Sequence, residues 1–202
     1  MPVVRRIPPG RAGRMWLRGR LDTATRGRDQ LDRKLRILIA DQERLQARKQ
    51  ERQDGWTSDY AVAQTWLLRV TLLGGQDAVR NATPVEAADL QLSWTSTMGL
   101  TYPEGADLPD DPSRSVSGNS AIVPAVAAFR AALLAAAQLA AAQEALRLVE
   151  AEVAVTRRRL RALDKRWLPW LRDRLAALEL TLDQAEQEDG IRLRRAIDSS
   201  RL

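Results

Sequence analysis

Apolar residues recur along the first part of the chain at alternating steps of four and three, which is the spacing of a coiled-coil seam. The seam contains Leu17, Leu21, Ala24, Arg28, Leu31, Leu35, Leu38, Gln42, Leu45, Lys49, Arg52, Trp56, Asp59, Ala63, Trp66, Val70 and Leu73. A loop inserted at Gly55 would shift this phase, and the phase does not shift. The pattern therefore predicts one helix from about Gly13 to Leu73, ended by Gly74 and Gly75.

A second helical arm is predicted from Pro124, which suits a first helical turn, to about Ile197. Its seam contains Leu146, Val149, Val153, Thr156, Leu160, Leu163, Trp167, Leu171, Leu175, Leu178, Leu182 and Ala185. Three successive steps of four interrupt the repeat between Leu163 and Leu175. Pro169 lies inside the interruption and cannot donate a hydrogen bond to Lys165. The sequence therefore predicts a bend or a loosened turn near Pro169.

Neither arm is expected to be stable alone, because its apolar seam releases less free energy than the ordering of its backbone costs. The arms are expected to fold back on each other as an antiparallel pair. If the chain ends lie together, the residue numbers of paired positions add up to about 203, which would put Arg28 near Leu175 and Lys49 near Ala154. The polar seam residues of the first arm, such as Arg28 and Arg52, are interpreted as setting the register of this pair.

The middle of the chain has a different pattern. Leu90, Leu92 and Trp94 alternate with polar residues, and Leu100 and Tyr102 repeat the alternation after Gly99. This predicts a short β-hairpin. The segment PEGADLPDDPSRSVSGNS then predicts a mobile loop.

The predicted fold is mainly all-α: a long antiparallel two-helix coiled coil with a short β-hairpin and a mobile loop in its middle. Three segments are expected. They are an N-terminal coiled-coil arm (1–75), an irregular middle with hairpin and loop (76–120), and a C-terminal coiled-coil arm (121–202).

The amino-acid composition limits the kinds of catalytic and metal-binding site that the chain can form. The chain has no histidine and no cysteine, which removes the commonest general base, thiolate nucleophiles and the usual transition-metal ligands. Carboxylates could still act as acid and base, but no glycine-rich phosphate loop is present. No catalytic residue, cofactor or metal site is predicted. No run of about 18 uncharged apolar residues occurs, so no membrane insertion is expected.

Charge is unevenly distributed. The net charge is +8 over residues 1–55, −5 over residues 56–120 and +3 over residues 121–202. This layout indicates that the ends and the middle meet different partners.

The stretch TRRRLRALDKRWLPWL, from Thr156 to Leu171, concentrates the positive charge of the second arm. Its cationic residues fall within about 200° of a helical wheel, separate from the seam residues. These residues are Arg157, Arg158, Arg159, Arg161, Lys165 and Arg166, here called the basic face. The charge is therefore predicted on the outside of the coiled coil.

The basic face has more than one interpretation. It could be an ordinary solvated helix face, but three consecutive arginines with Asp164 as the only local acid argue against that. Trp167 could pack in the seam, whereas Trp170 suits a protein interface. A basic coiled coil could also bind nucleic acid, with affinity that falls steeply with salt. A self-dimerising scaffold is a further alternative.

Two stretches together resemble the D subunit of the V/A-type rotary ATPases. The family's N-terminal pattern LxxLxxxLxxAxxGxxLLxxKxxxL is matched by Leu17, Leu21, Ala24, Leu31, Lys34 and Leu38. Its TRRRVNALE…PRL signature is matched by Thr156, Arg157, Arg158, Arg159, Ala162, Leu163, Pro169 and Leu171. Leu160, Arg161 and Asp164 stand where the family has Val, Asn and Glu. The resemblance covers both arms but not the middle.

The resemblance implies a non-catalytic central-stalk rotor subunit of a proton- or sodium-translocating ATPase or ATP synthase. Its termini would sit inside the ring of catalytic A and B subunits, the F subunit would bind its side, and its far end would seat in a socket subunit above the membrane rotor ring. The complex would place it on the cytoplasmic face of the plasma membrane. The basic face and Trp170 would then contact the stator ring or the F subunit, and the acidic middle would face the socket. Alternatively, the polar seam residues of the first arm would contact the F subunit.

Overall fold

The computed structural model describes residues 7–83, 87–109 and 118–199. The elements are α1 (Gly10–Ala82), β1 (Gln91–Thr97), β2 (Leu100–Asp107), α2 (Ile122–Ala162), a π-helical turn (Leu163–Trp167) and α3 (Leu168–Ser199). The prediction of a mainly helical fold with a short antiparallel hairpin is confirmed.

Helix α1 remains helical through Gly55, as the unbroken seam predicts. The predicted stop at Gly74 and Gly75 is a break rather than an end. Gly75 has φ 67° and ψ −170°, and helical structure resumes beyond it to Ala82. A residue with a β-carbon is strained at such a positive φ, so glycine permits the break. The resumed turns pack Ala78, Val79 and Ala82 against an apolar cluster, which explains why the helix continues.

The loosened turn predicted near Pro169 is confirmed. Leu163–Trp167 forms a π-helical turn, and Leu168 N–H donates to the carbonyl of Leu163, five residues back. The turn lies within the interruption of the heptad spacing. A π-helical turn adds one residue to the helix without breaking it, which absorbs such an interruption.

The hairpin pairs β1 with β2 around Met98 and Gly99. Both residues have positive φ, 52° and 79°, as a tight two-residue hairpin turn requires. A β-bulge lies between Ser93 and Trp94. The predicted loop starts too early, because its residues up to Asp107 belong to β2. Its residues 110–117 lie outside the described part of the chain.

The chain divides into two compact units, Met1–Leu35 with Val155–Leu202 (unit 1) and Arg36–Ala154 (unit 2). In unit 1, Leu17, Thr156, Leu168 and Leu171 are buried. Unit 2 buries Leu38, Leu45, Tyr102 and Val149, and a further cluster contains Val70, Ala121, Ile122 and Ala125. The three-segment division from the sequence stays a prediction.

Within each unit the helices run antiparallel. Unit 1 contains the cross-helix pairs Arg11–Glu186, Arg18–Glu179 and Arg28–Asp164, and unit 2 contains Gln42–Glu150 and Arg52–Gln138.

The predicted register was wrong. The residue numbers of these pairs add up to between 190 and 197 rather than 203. Arg28 bonds to Asp164 rather than lying near Leu175. Lys49 lies between Gln42 and Arg52, so its stretch of α2 is that between Glu150 and Gln138 and does not reach Ala154. The assumption that the chain ends lie together caused the error, because α3 continues beyond Glu186 to Ser199.

The helical stretch Ile122–Ser199 is long and apolar enough to cross a membrane, judged by length and composition alone. It contains an 18-residue window of mean hydropathy 1.8, of which 22% is buried. The expectation from the sequence required an uncharged run, whereas this window admits up to two charges. Alanine-rich helices that pack against protein pass the same test. In α2, Ala125, Ala132 and Leu139 are buried in unit 2.

Candidate interaction surface

The basic face lies at the end of α2 and in the π-helical turn, and all six of its cationic side chains are exposed. The seam residues beside them point the other way. Thr156 is fully buried, Leu160 and Leu163 are half-buried, and Leu171 is fully buried. Side chains three or four positions apart share a helix face, so the apolar seam forces the intervening cations outward. The contact role of this exposed surface stays a prediction.

The two tryptophans of this region form one stacked pair. The rings of Trp167 and Trp170 are 5.1 Å apart with an interplanar angle of 13°, and both residues are half-buried. The guanidinium of Arg174 lies 5.9 Å from the Trp170 ring centre, within cation–π range. The predicted interface residue Trp170 is therefore packed against Trp167 while it retains an accessible part.

Asp164, the only acidic residue between Thr156 and Leu171, is bonded to α1. Arg28 Nε donates to Asp164 Oδ1 at 3.2 Å, and Arg28 Nη1 donates to Asp29 Oδ1 at 3.0 Å. The hydrogen bonds to Asp29 and then to Asp164 raise the pKa of Arg28. Asp164 is thus held by α1 within the helix pair.

The predicted seam residues are buried or half-buried except for Leu73 and Ala185, the last residues of the two seams, which are exposed. Leu17, Leu38, Leu45 and Leu171 are at most 1% exposed. The half-buried members are Leu21, Leu31, Leu35, Leu160, Leu163, Trp167, Leu175, Leu178 and Leu182.

Three of the five polar seam residues of the first arm make contacts across the helix pair. Arg28 bonds to Asp164 in unit 1, and in unit 2 Arg52 Nη1 donates to Gln138 Oε1 at 2.7 Å. Gln42 Nε2 donates to Glu150 at 3.5 Å. These contacts favour the register-setting interpretation over contact with another subunit, because the groups already bond within the chain.

Tyr102 plays a part that the sequence pattern did not reveal. It is 1% exposed, and its hydroxyl lies within 3.2–3.4 Å of Thr97 Oγ1, Arg44 Nη2 and Asp41 Oδ2. The hairpin is therefore fastened to α1 through one aromatic side chain. Alternation predicts that Tyr102 faces inward, but it cannot identify Asp41 and Arg44 as partners.

Strand β1 carries exposed apolar side chains. Leu92 is 52% and Trp94 is 59% exposed. In the part of the chain that the structure describes, no group of three or more carboxylates is placed to hold a metal ion.

The sequence is similar to a known protein family along most of its length. A sequence model of the family described as the ATP synthase D subunit matches residues 15–198. The D subunit of the A-type ATP synthase of Halobacterium salinarum is 26% identical, over 95% of this chain and 89% of its own length. That of Methanopyrus kandleri is 27% identical, over 97% and 88%. The D subunit of the V-type ATP synthase of Thermus thermophilus is 27% identical, over 94% and 86%. The match covers both arms and the hairpin between them, so this chain belongs to the ATP synthase D-subunit family.

Proposed function

We propose that this chain is the central-stalk rotor subunit of a V/A-type ATPase or ATP synthase. In this role it couples ATP turnover in a ring of A and B subunits to rotation of a membrane rotor, and it performs no catalysis itself. The single observation that carries the proposal is the family match over residues 15–198. The relatives are named as D subunits of A-type and V-type ATP synthases.

The helix pair supports a mechanical role. A subunit that transmits torque must resist bending and slipping, and antiparallel helices with interlocked side chains do both. In unit 1, Arg18 and Arg28 are fastened to Glu179 and Asp164 on the opposite helix. Side chains of Leu17 and Leu171 fill the space between the helices without exposure to solvent. A sliding motion along the helix axis would break these contacts together.

The basic face supplies the surface on which a surrounding ring can act. Its exposed arginines and Lys165 attract acidic side chains and backbone carbonyls. Charged contacts of this kind are individually weak when exposed to water. They can therefore form and break as successive subunits of the ring close, without locking the rotor in one position. Trp170 adds apolar area at the edge of the same surface.

The remaining partners follow from the same role. The F subunit contacts the side of the stalk, and the acidic middle of the chain faces a socket subunit above the membrane rotor ring. The chain is then peripheral, on the cytoplasmic face of the plasma membrane, as part of the complex. Net charge of −5 over residues 56–120 against +8 over residues 1–55 supports different partners for the two regions.

Co-expression with the A, B and F subunits of the same organism tests this function. We expect the chain to co-purify with them and to raise the ATPase activity of the A/B ring. A chain that forms a stable homodimer and does not associate with those subunits would contradict the proposal. Retention of nucleic acid in low salt, released by added salt, would favour the nucleic-acid alternative instead.

A further inference from the structure

A polar cavity of about 310 Å³ lies in unit 2, where the hairpin meets α1 and α2. It is lined by Arg48, Arg52, Ser93, Glu104, Gly105 and Gln138. Three elements contribute these residues, so the cavity depends on the docked position of the hairpin.

Most arginines of the described residues are exposed, but the two that line this cavity are not. Arg48 and Arg52 are one helical turn apart and half-buried. Like charges at this spacing destabilise a helix, and partial removal from water adds to that cost. Elsewhere in α1 the half-buried Arg28 is paired with two carboxylates, those of Asp29 and Asp164.

No carboxylate of the described residues forms an ion pair with either arginine. Across residues 7–83, 87–109 and 118–199, Arg48 has no hydrogen bond and no ion pair within 4.0 Å, and the same holds for Glu104. Arg52 is held by the neutral amide of Gln138, at 2.7 Å. Gln138 Nε2 in turn donates to the carbonyl of Ala106, at 3.4 Å. Arg52 is therefore oriented but not neutralised.

The geometry points to a binding site for one carboxylate side chain, Asp or Glu, of a neighbouring subunit of the complex. Two guanidinium groups and the Glu104 carboxylate leave the cavity with a charge of about +1, which one monoanion balances. Glu104 would repel a dianionic phosphate more strongly than a carboxylate. A guanidinium binds a carboxylate through two parallel hydrogen bonds, and within the described residues the donors of Arg48 are not engaged. The inserted carboxylate would also join the hairpin to α1, so partner binding would hold the hairpin in place.

This inference rests on the proposed function for the identity of the partner, and the chemistry of the cavity can be measured without it. In the full chain, nuclear magnetic resonance of arginine Nε–Hε groups would be followed during titration with acetate, with phosphate, and with chloride at equal ionic strength. We expect the signals of Arg48 and Arg52 to move with acetate more than with chloride, and more than the signal of the exposed Arg33. The Glu104→Gln variant should bind acetate several-fold more tightly, since it lacks the competing carboxylate.

If acetate shifts the Arg48 and Arg52 signals no more than it shifts the Arg33 signal, the proposed carboxylate site is wrong. Stronger binding of phosphate than of acetate by the unmodified chain would overturn the choice of a monoanion. These outcomes concern the cavity alone and leave the proposed function standing.

A second experiment uses the assembled complex, with Arg48→Gln as the variant and Arg33→Gln as the matched control. Both substitutions remove one positive charge from α1, but Arg33 is exposed and lies outside the cavity. We expect Arg48→Gln to accelerate dissociation of one neighbouring subunit at least about tenfold, as truncation of an interfacial charge pair does. The control should dissociate as the unmodified chain does.

Equal dissociation of both variants from an intact complex would overturn the inference while the proposed function stands. Failure of the unmodified chain to assemble would overturn the proposed function, and with it the identity of the partner. Helix content and thermal unfolding of the Arg48→Gln chain would be measured first. No described contact of Arg48 is lost in this variant, so we expect both to be unchanged.

Discussion

Arg28 of α1 and Asp164 of the π-helical turn are joined by a hydrogen bond of 3.2 Å from Nε to Oδ1. The bond fixes α1 of unit 1 against the one turn in which the opposite helix departs from α-helical geometry. Because the π-helical turn shifts the facing side chains, a specific polar contact at this level selects one register among several that leucine packing would allow.

Exchange of the two charges tests that role. Arg28→Asp alone should lower the free energy of unfolding, because it places carboxylates at positions 28, 29 and 164 close together. The Arg28→Asp/Asp164→Arg double variant should recover part of the loss. Urea unfolding of the four proteins of a double-mutant cycle would give the coupling free energy between residues 28 and 164. Additive losses, with no recovery in the exchanged protein, would contradict a direct pairing.

Removal of a seam side chain should cost more than removal of an equally large exposed one. Leu38 is 0% exposed and Leu72 is 85% exposed, and both lie on α1. We expect Leu38→Ala to lower the free energy of unfolding by about 2–5 kcal/mol through lost burial and the cavity left behind. Leu72→Ala should change it by no more than about 0.5 kcal/mol. Chemical denaturation followed by circular dichroism would compare them, and similar losses would argue against the seam.

Tyr102 should hold the hairpin on α1 through its hydroxyl as well as through its ring. Tyr102→Phe keeps the buried ring but leaves Asp41 and Arg44 without the hydroxyl, and it should cost about 1 kcal/mol. Hydrogen exchange of β1 and β2 amides should quicken in this variant and in Thr97→Val to a smaller extent. If hairpin exchange is unchanged in Tyr102→Phe, the hydroxyl contacts do not stabilise the docked hairpin.

The arms and the hairpin could be predicted because each leaves a local signal. The spacing of Leu17, Leu38 and Leu45 fixes the buried face of α1 without any knowledge of its partner. The alternation around Trp94 and the turn at Gly99 identify the hairpin in the same way.

The register and the cavity could not be predicted, because each depends on residues far apart in sequence. Arg28 meets Asp164 only after the length of the connecting segment and the overhang of α3 are known. The cavity requires α1, the hairpin and α2 together, and nothing in the spacing of Arg48 and Arg52 indicates that Ser93 and Gln138 complete its wall.

The basic face should matter for coupling rather than for folding. Arg157, Arg158 and Arg159 are exposed, although Arg158 also makes a contact within the chain. Reversal of their charge should therefore leave helix content nearly unchanged. In the assembled complex, ATP hydrolysis should continue while ion pumping falls, because the ring can no longer push on the stalk. The matched control reverses the charge of Arg192, Arg194 and Arg195, which are also exposed. Unchanged coupled turnover in the triple variant of the basic face would refute its assignment.

The proposed rotor function predicts that this chain turns inside a ring of catalytic subunits. With the A/B ring fixed to a surface, a bead attached at the hairpin should rotate in one direction when ATP is added and should stop when ATP is removed. A bead that stays still while the same complexes hydrolyse ATP would contradict the rotor account.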